Sequence, residues 1–353
     1  MKIFLIAFLS LINVHHGYSF LTSLSSNSIL RIHHVPISYH NVGPPDTLRD
    51  LKIGDILHAS RIRNDENTQE TTTDFTIERV GYTPDIFCLR NILSPSECIQ
   101  IQNMAKDSGM TRAETITEND VSSRKNCTVA WIPSSTGLGS ASVLGSESGA
   151  VPNLLQNLID IVSNVCLSQE IMMDKHVSVE DLQVLEYGIG GEFVLHHDGD
   201  LRIMTVIYYM NGVGGTYFPL ARTSNDERDD PMLDPSSDIQ MNEQEMEYNF
   251  FKTRREPENK SYKMDFGNVQ PGNHGLLLYG AKSFVKEGKD NVSIPNNEHI
   301  AKIHQGDAVV FYNYREDGST RLDWRSLHCG FPVSEEDGTK WIANHWFRVD
   351  DLI

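Results

Sequence analysis

Two hydrophobic periodicities divide the chain into a helical part and a strand-rich part. Between residues 153 and 167, Leu, Ile and Val recur at the spacing of one buried helix face. From residue 182 onward, short apolar runs alternate with turn residues, which is typical of β-strands without intervening helices. These runs occupy residues 182–187, 191–197, 202–210, 215–220, 274–280, 307–314 and 341–349. The order predicts an α+β fold with helices first and an antiparallel β-sandwich or barrel after them.

A second helix is predicted before the strands. The segment "SPSE" at 94–97 is a capping box with Pro in the first turn, and Gly109 stands where the helix should end. Its apolar face is predicted to bury Cys98, Ile101 and Ala105. The folded domain is expected to begin near Tyr82, because residues 20–80 have the polar composition of a low-order leader.

One segment interrupts the strand rhythm. It begins "ARTSNDERDDPMLDPSSD" at residue 221 and is strongly charged, with Pro and Asp at turn positions. Such a composition predicts a surface insertion. We expect it to extend to about residue 302 and to hold a strand or two of its own around 275–280.

The N-terminus has the layout of a secretory signal peptide over residues 1–19. Lys2 precedes an apolar run from Ile3 to Val14, which is too short to span a bilayer comfortably, so no stable membrane span is expected. A membrane anchor or a buried first helix is the alternative. The signal predicts the secretory pathway and the endoplasmic reticulum lumen, although the C-terminal "VDDLI" carries no retention signal. Residues 20–42 are Ser-rich and lack acidic residues, a pattern also found in two-part plastid presequences.

Charge and cysteine content narrow the function classes. The net charge of −18 argues against nucleic acid and anionic membranes as partners, and is compatible with a neutral or basic polypeptide. None of the five cysteines forms a Cys-x-x-Cys motif, the spacing of structural zinc sites, and one or two disulfides remain open. Sequons at Asn126, Asn259 and Asn291 fit a secreted route. The sequence leaves the oligomeric state open.

The densest candidate chemistry is "VLHHDGD" at 194–200. If residues 193–198 are extended, His196 and Asp198 share one face, while His197 points to the other and should be dispensable. A third candidate ligand, His328, lies in "RSLHCGFPV". Two imidazoles and one carboxylate with open positions form the facial triad of non-haem Fe(II) oxygenases.

A lysine twelve residues after His328 extends this hypothesis. Fe(II) with one carboxylate keeps a net positive charge, so a dianionic co-substrate such as 2-oxoglutarate can chelate it through one carboxylate and the keto oxygen. The far carboxylate then needs a cation, which Lys340 can supply.

Residues 82–350 resemble the prolyl 4-hydroxylase branch of the Fe(II)/2-oxoglutarate dioxygenases. The resemblance rests on the ordered motifs "ILSPSEC", "YGIGGEFVLHHD", "RIMTVIYYMN", "GGTYFP", "GDAVVFYNYREDGSTRLDWRSLHCGFPV" and "KWIANHWF". It implies a double-stranded β-helix, or jelly-roll, core with N-terminal supporting helices. For the site it implies iron ligands at His196, Asp198 and His328, a co-substrate anchor at Lys340 with help from Tyr187 and Thr216, and substrate contacts at Arg202 and Trp346.

The resemblance also implies a reaction. 2-Oxoglutarate and O2 would be consumed to give succinate, CO2 and a hydroxylated proline in a proline-rich polypeptide, with ascorbate as reductant for the iron. Several departures bear on the substrate: Phe193 replaces a common Tyr, the link from Asp198 to Arg202 is short, Arg348 replaces a His found in some relatives, and the insertion is long. The alternatives are the same chemistry on another residue or a small molecule, and a catalytically silent protein that binds proline-rich chains.

Overall fold

The fold is described by a computed structural model that covers residues 42–64, 70–113, 124–134, 152–174, 177–199, 201–225, 275–282, 300–315 and 322–349. Its helices are α1 (Asp46–Arg49), α2 (Pro95–Asp107), α3 (Asn153–Cys166) and α4 (Gln169–Asp174). Its strands are β1 (Ile56–Asn64), β2 (Glu70–Tyr82), β3 (Asp85–Arg90), β4 (Thr111–Arg112), β5 (Arg124–Ile132), β6 (Val177–Val179), β7 (Leu182–His196), β8 (Arg202–Tyr209), β9 (Gly215–Phe218), β10 (Leu276–Gly280), β11 (Ile300–Ile303), β12 (Ala308–Tyr312), β13 (His328–Gly330) and β14 (Lys340–Val349).

These strands join in one mixed sheet that curls into a half-barrel. The hydrogen-bonded order is β1-β2-β3-β12-β8-β14-β7-β13-β9-β10-β11, and β4, β5 and β6 pair from the side. The long strand β7 makes the curl: residues 183–187 pair with β14, whereas its C-terminal end pairs with β13. The bend between them contains Gly190 at φ +71°, a conformation that favours glycine. The arrangement confirms the predicted jelly-roll core.

Among the described residues, the interior has two large apolar clusters and a small third one around Tyr217, Leu277 and Phe331. One lies between the sheet and the helices, where α2 and α3 bury the residues predicted from their periodicity. The capping box is formed as predicted, since the Ser94 hydroxyl accepts from the Glu97 amide and the Glu97 carboxylate accepts from the Ser94 amide. The second cluster fills the half-barrel. The supporting helices are therefore confirmed as the backing of the sheet.

The prediction of a low-order leader over residues 20–80 is wrong for its second half. β1 and β2 form an antiparallel hairpin, and β2 continues the main sheet by pairing with β3. Phe75 and Ile77 on β2 are buried in the first cluster, and Arg79 forms a buried ion pair with Asp85. The polar appearance of this region comes from Thr, Glu and Arg that alternate with those apolar residues. Residues 1–41, which include the predicted signal peptide, lie outside the described residues.

The predicted insertion is too long at its C-terminal end. β10 pairs with β9, and β11 pairs with β10, so both strands belong to the main sheet. The backbone amide of Gly275 donates to the carbonyl of Ala221 at 3.1 Å. The chain therefore leaves the sheet near Ala221 and returns to it beside the same residue. Residues 226–274 and 283–299 lie outside the described residues.

The described residues include all five cysteines, and each is an unpaired, buried thiol. They are distributed over β3, α2, β5, α3 and β13. Among the described helices, none is long and apolar enough to cross a membrane.

Candidate metal and co-substrate site

Strand pairing brings the three predicted metal ligands together. β13 pairs with the end of β7 so that His328 lies opposite His196, and Asp198 follows two residues after the end of β7. The imidazole and carboxylate ligand atoms all lie within 4.8 Å of one another. The strand ends at His196 and not at residue 198 as the alternation argument assumed, yet the two ligands still face one site.

The spacing of the ligand atoms suits a single metal ion. His196 Nε2 lies 3.5 Å from Asp198 Oδ1, and His328 Nε2 lies 3.7 Å from Asp198 Oδ2. The two imidazole centroids are 4.2 Å apart. Two nitrogen donors and one carboxylate on the same side of a cavity form the donor set that non-haem Fe(II) prefers.

Backbone carbonyls fix the orientation of both imidazoles. His196 Nδ1 lies 2.9 Å from the Val194 carbonyl, and His328 Nδ1 lies 2.9 Å from the Ser326 carbonyl. A carbonyl can only accept, so each Nδ1 carries the proton and donates it, which leaves each Nε2 lone pair for a metal. Both histidines are therefore held in the tautomer that a metal ligand requires.

Burial and charge prepare these groups for metal binding. Burial lowers the pKa of His328 to about 3, with a further contribution from His196, so its imidazole is neutral at physiological pH. Burial alone would raise the pKa of Asp198, but the facing imidazoles and Arg202 outweigh it and lower the pKa below its ordinary value. The Thr205 hydroxyl also donates to Asp198 Oδ2 at 3.0 Å. Asp198 is therefore already ionised and His328 already neutral when a divalent cation enters.

Lys340 lies in the same cavity as the triad. It begins β14 opposite Tyr187 of β7, and its side chain is buried. Its ammonium donates to the Gly215 carbonyl at 2.8 Å and lies 5.6 Å from the Tyr187 ring centroid. Within the described residues this is its only hydrogen bond, whereas an ammonium has three donors. The remaining donors suit a carboxylate.

A glycine makes room for the Lys340 side chain. A Cβ atom on Gly214 would lie 2.4 Å from Lys340 Cδ, and Gly214 has a φ of +78°. Burial lowers the pKa of Lys340 to about 8, with smaller opposing effects from Cys329 and Cys127. A cation that is this poorly solvated is stabilised by a bound anion.

The comparisons with known proteins agree with this geometry. Residues 182–348 match the model of the 2OG-Fe(II) oxygenase superfamily. The matched range contains the whole triad and Lys340. Over these residues the chain is similar to the 2OG-Fe(II) oxygenase superfamily.

The relatives of this oxygenase domain are named prolyl 4-hydroxylases. The transmembrane prolyl 4-hydroxylase of Mus musculus is 28% identical over 201 residues, which are 48% of this chain and 30% of that protein. The probable prolyl 4-hydroxylase 8 of Arabidopsis thaliana is 24% identical over 291 residues, 79% of this chain and 73% of that protein. The chain thus spans less than a third of the first relative and most of the second.

A solved structure is similar at a lower level. The viral collagen prolyl hydroxylase of Paramecium bursaria Chlorella virus-1, in its 2OG complex, is 17% identical with a TM-score of 0.37. The match covers 74% of this chain and 95% of that chain.

Tyr187 and Thr216 of the oxygenase domain lie in the cavity with the triad and Lys340, at the predicted co-substrate positions. Thr216 Oγ1 lies 2.7 Å from the Tyr209 hydroxyl, so its rotamer is fixed. Burial raises the pKa of Tyr187 well above its usual range, which keeps the phenol neutral. Both side chains can therefore serve as hydroxyl donors to a bound carboxylate.

Arg202 and Trp346, the predicted substrate contacts, lie against each other and are not among the described residues that line the triad cavity. The Arg202 guanidinium lies 4.1 Å from the Trp346 ring centroid and is paired with Glu180 through two contacts of 2.6 and 2.7 Å. Trp346 is buried, and its Nε1 has no hydrogen-bond partner among the described residues. A substrate role for this pair therefore stays a prediction.

Sequence reasoning missed two residues of β5, Arg124 and Trp131, that lie against residues named from the sequence. Arg124 on β5 lies 4.1 Å from the Phe193 ring, and Phe193 stacks on His196 with centroids 3.7 Å apart. Trp131, also on β5, is about half exposed, and its ring lies 6.0 Å from Trp346. The signal for β5 is the apolar and β-branched run at the end of "RKNCTVAWI", which follows a polar stretch and precedes a Ser- and Gly-rich stretch.

A larger cavity of about 480 Å³ lies elsewhere on the sheet, beside Glu78, Arg90 and Asp307. Arg90 already donates to both carboxylates, at 2.7 Å and 3.0 Å. The cavity contains none of the predicted site residues, so the smaller cavity around the triad remains the candidate site.

Proposed function

We propose that the protein is an Fe(II)- and 2-oxoglutarate-dependent dioxygenase that hydroxylates peptidyl proline and releases succinate and CO2. The observation that carries the proposal is the convergence of His196, Asp198 and His328 in one cavity with the buried Lys340. When bound, iron with 2-oxoglutarate and O2 supplies the oxidising chemistry that hydroxylates an unactivated carbon.

The protein residues in this proposal bind and orient. The carbonyls of Val194 and Ser326 hold the two imidazoles so that their Nε2 atoms face the cation. Lys340 binds the far carboxylate of 2-oxoglutarate, assisted by Tyr187 and Thr216. Buried strands enclose the cavity, which keeps bulk water from the reacting groups.

A proline-rich polypeptide is the substrate class that an aromatic surface on the protein favours. Such a chain is extended and preorganised, and it binds to grooves lined by aromatic side chains. The half-exposed Trp131 supplies an aromatic surface, and the buried Trp346 lies with its ring centroid 6.0 Å from that of Trp131. The relatives are named prolyl 4-hydroxylases, which supports proline as the target residue.

The proposed location is the secretory pathway, in the endoplasmic reticulum lumen, with ascorbate as the reductant. Its support is the signal-peptide layout of residues 1–19. Fusion of residues 1–42 to a fluorescent protein tests the location, because plastid import would instead support a two-part presequence.

The activity test is succinate release from 2-oxoglutarate with Fe(II) and ascorbate over a panel of peptides. We expect release with proline-rich peptides, the gain of one oxygen on proline by mass spectrometry, and no release with the Pro→Ala forms. His196→Ala, Asp198→Ala and His328→Ala should each abolish Fe(II) binding and turnover. Turnover with another residue or a small molecule would show the same chemistry on a different substrate, and peptide binding without turnover would show a silent binding protein.

A further inference from the structure

His197, which lies between two of the proposed ligands, has both ring nitrogens engaged. The Gly199 amide donates to His197 Nδ1 at 3.1 Å, so Nδ1 carries no proton and the proton is on Nε2. Nε2 lies 2.9 Å from the Asp323 carbonyl and 2.6 Å from Ser326 Oγ. The ring is buried and packs edge-on against Trp324. His197 is thus a neutral donor that faces away from the metal.

The partners of His197 form the turn that precedes the third ligand. Residues 324–326 are a single 3₁₀ turn, and the Ser326 hydroxyl donates to the Asp323 carbonyl at 2.8 Å. The carbonyl of Ser326 accepts from His328 Nδ1. One face of this turn therefore contacts His197, and the opposite end orients His328.

We propose that His197 is a positioning residue that holds His328 in register with His196 and Asp198. The two halves of the triad come from chain segments about 130 residues apart. His197 links them on the side of the site opposite to the metal, because its backbone lies between two ligands and its side chain binds the turn that sets the third. The strand-alternation argument predicts that His197 is dispensable, whereas the contacts of its imidazole support the positioning role proposed here.

This role predicts effects that simple core packing does not. A packing residue contributes to the stability of the metal-free fold, whereas a positioning residue also contributes to the free energy of metal binding. His345 provides a matched control, since it is another fully buried, neutral imidazole, placed on β14 near Tyr208 and Ser134. Loss of His345 should affect stability alone.

The inference rests on the proposed metal site, and the experiment separates the two. Fe(II) is titrated anaerobically, without 2-oxoglutarate, into wild type, His197→Leu, His197→Gln, Ser326→Ala and His345→Leu, and thermal unfolding of each metal-free protein is recorded. We expect His197→Leu to raise the Kd for Fe(II) about 10- to 100-fold, and His197→Gln to recover most of the affinity because its amide nitrogen can donate in the place of Nε2. Ser326→Ala should give a smaller rise, and His345→Leu none.

Each outcome decides a specific point. A wild type that binds no Fe(II) would refute the proposed function, whereas a wild type that binds while His197→Leu stays within about twofold of it would overturn the positioning role alone. Equal changes for His197→Leu and His345→Leu would show a packing effect. If His197→Leu does not fold, a Ser326→Ala variant whose Fe(II) affinity equals that of wild type overturns the proposal. Absorption bands of bound Co(II) should shift in His197→Leu and be restored in His197→Gln.

Discussion

Lys340 is the residue whose contacts lead to the most direct test. Its buried ammonium has one carbonyl partner, so a bound carboxylate would form a charge-assisted contact in a poorly solvated site. Lys340→Ala should weaken 2-oxoglutarate binding by about 2–4 kcal/mol, roughly 30- to 700-fold, with Fe(II) affinity unchanged. Titration of 2-oxoglutarate into the Fe(II)-loaded proteins measures this. An unchanged half-saturation would place the anchor elsewhere.

The depressed pKa of Lys340 gives a pH dependence with a defined sign. Burial sets this pKa to about 8 in the protein without co-substrate, and a bound carboxylate raises it, so binding above pH 8 must be accompanied by proton uptake. The affinity for 2-oxoglutarate should therefore be constant below pH 8 and fall by up to about tenfold per pH unit above it. Calorimetry across this range tests the effect, with Lys340→Arg as the control that keeps its charge and should lose the dependence.

At the scale of residues, the sequence predicted the proposed ligands but not the side chains that hold those ligands in position. His196, Asp198, His328 and Lys340 follow from residue types, spacing and resemblance. The role of His197 depends on a turn about 130 residues away, and no local pattern contains that contact. Residue chemistry can be predicted from sequence when the neighbours are local, whereas the hydrogen-bond partners of a buried side chain are set by the fold.

At the scale of elements, the strands after residue 182 could be predicted because their apolar runs are short and bounded by turn residues. β1 and β2 were missed because only one face of the hairpin is buried, which gives alternation with polar residues and no continuous apolar run. β10 was recognised as a strand from its clear apolar run, but it was wrongly assigned to the insertion. The sequence cannot show that Leu276 pairs with Phe218 across the intervening segment.

The segment between β9 and β10 should be removable. Ala221 and Gly275 are joined by a hydrogen bond, so the excised ends already meet, and Arg222 must be kept because its backbone pairs with Thr83. Replacement of residues 226–274 by a short Gly-Ser linker should preserve cooperative unfolding and Fe(II) affinity, while peptide preference changes. Circular dichroism melts and Fe(II) titration measure this, and a chain that no longer folds would show that the segment is structural.

At the scale of the whole molecule, the hairpin at the N-terminal side of the sheet belongs to the core. A chain that begins at residue 82 loses the buried side chains of Phe75 and Ile77, worth about 3–6 kcal/mol together, and leaves the buried Asp85 without Arg79. Since domains have a total stability of about 5–15 kcal/mol, this chain should be largely unfolded, whereas a chain that begins at residue 42 should not. Urea unfolding of the two chains tests this, and equal midpoints would contradict it.

The double pairing of β14 has a consequence for how substrate preference can change. Lys340 and Trp346 lie on the same face of this strand, six residues apart, which is roughly 20 Å along the strand. β7 and β8 hydrogen-bond to opposite sides of it, so it fixes the distance between the proposed co-substrate anchor and the proposed substrate contact. An insertion of one residue would turn every later side chain to the wrong face. Changes in substrate preference should therefore arise in connecting segments, such as the short link from Asp198 to Arg202, while the length of β14 stays the same.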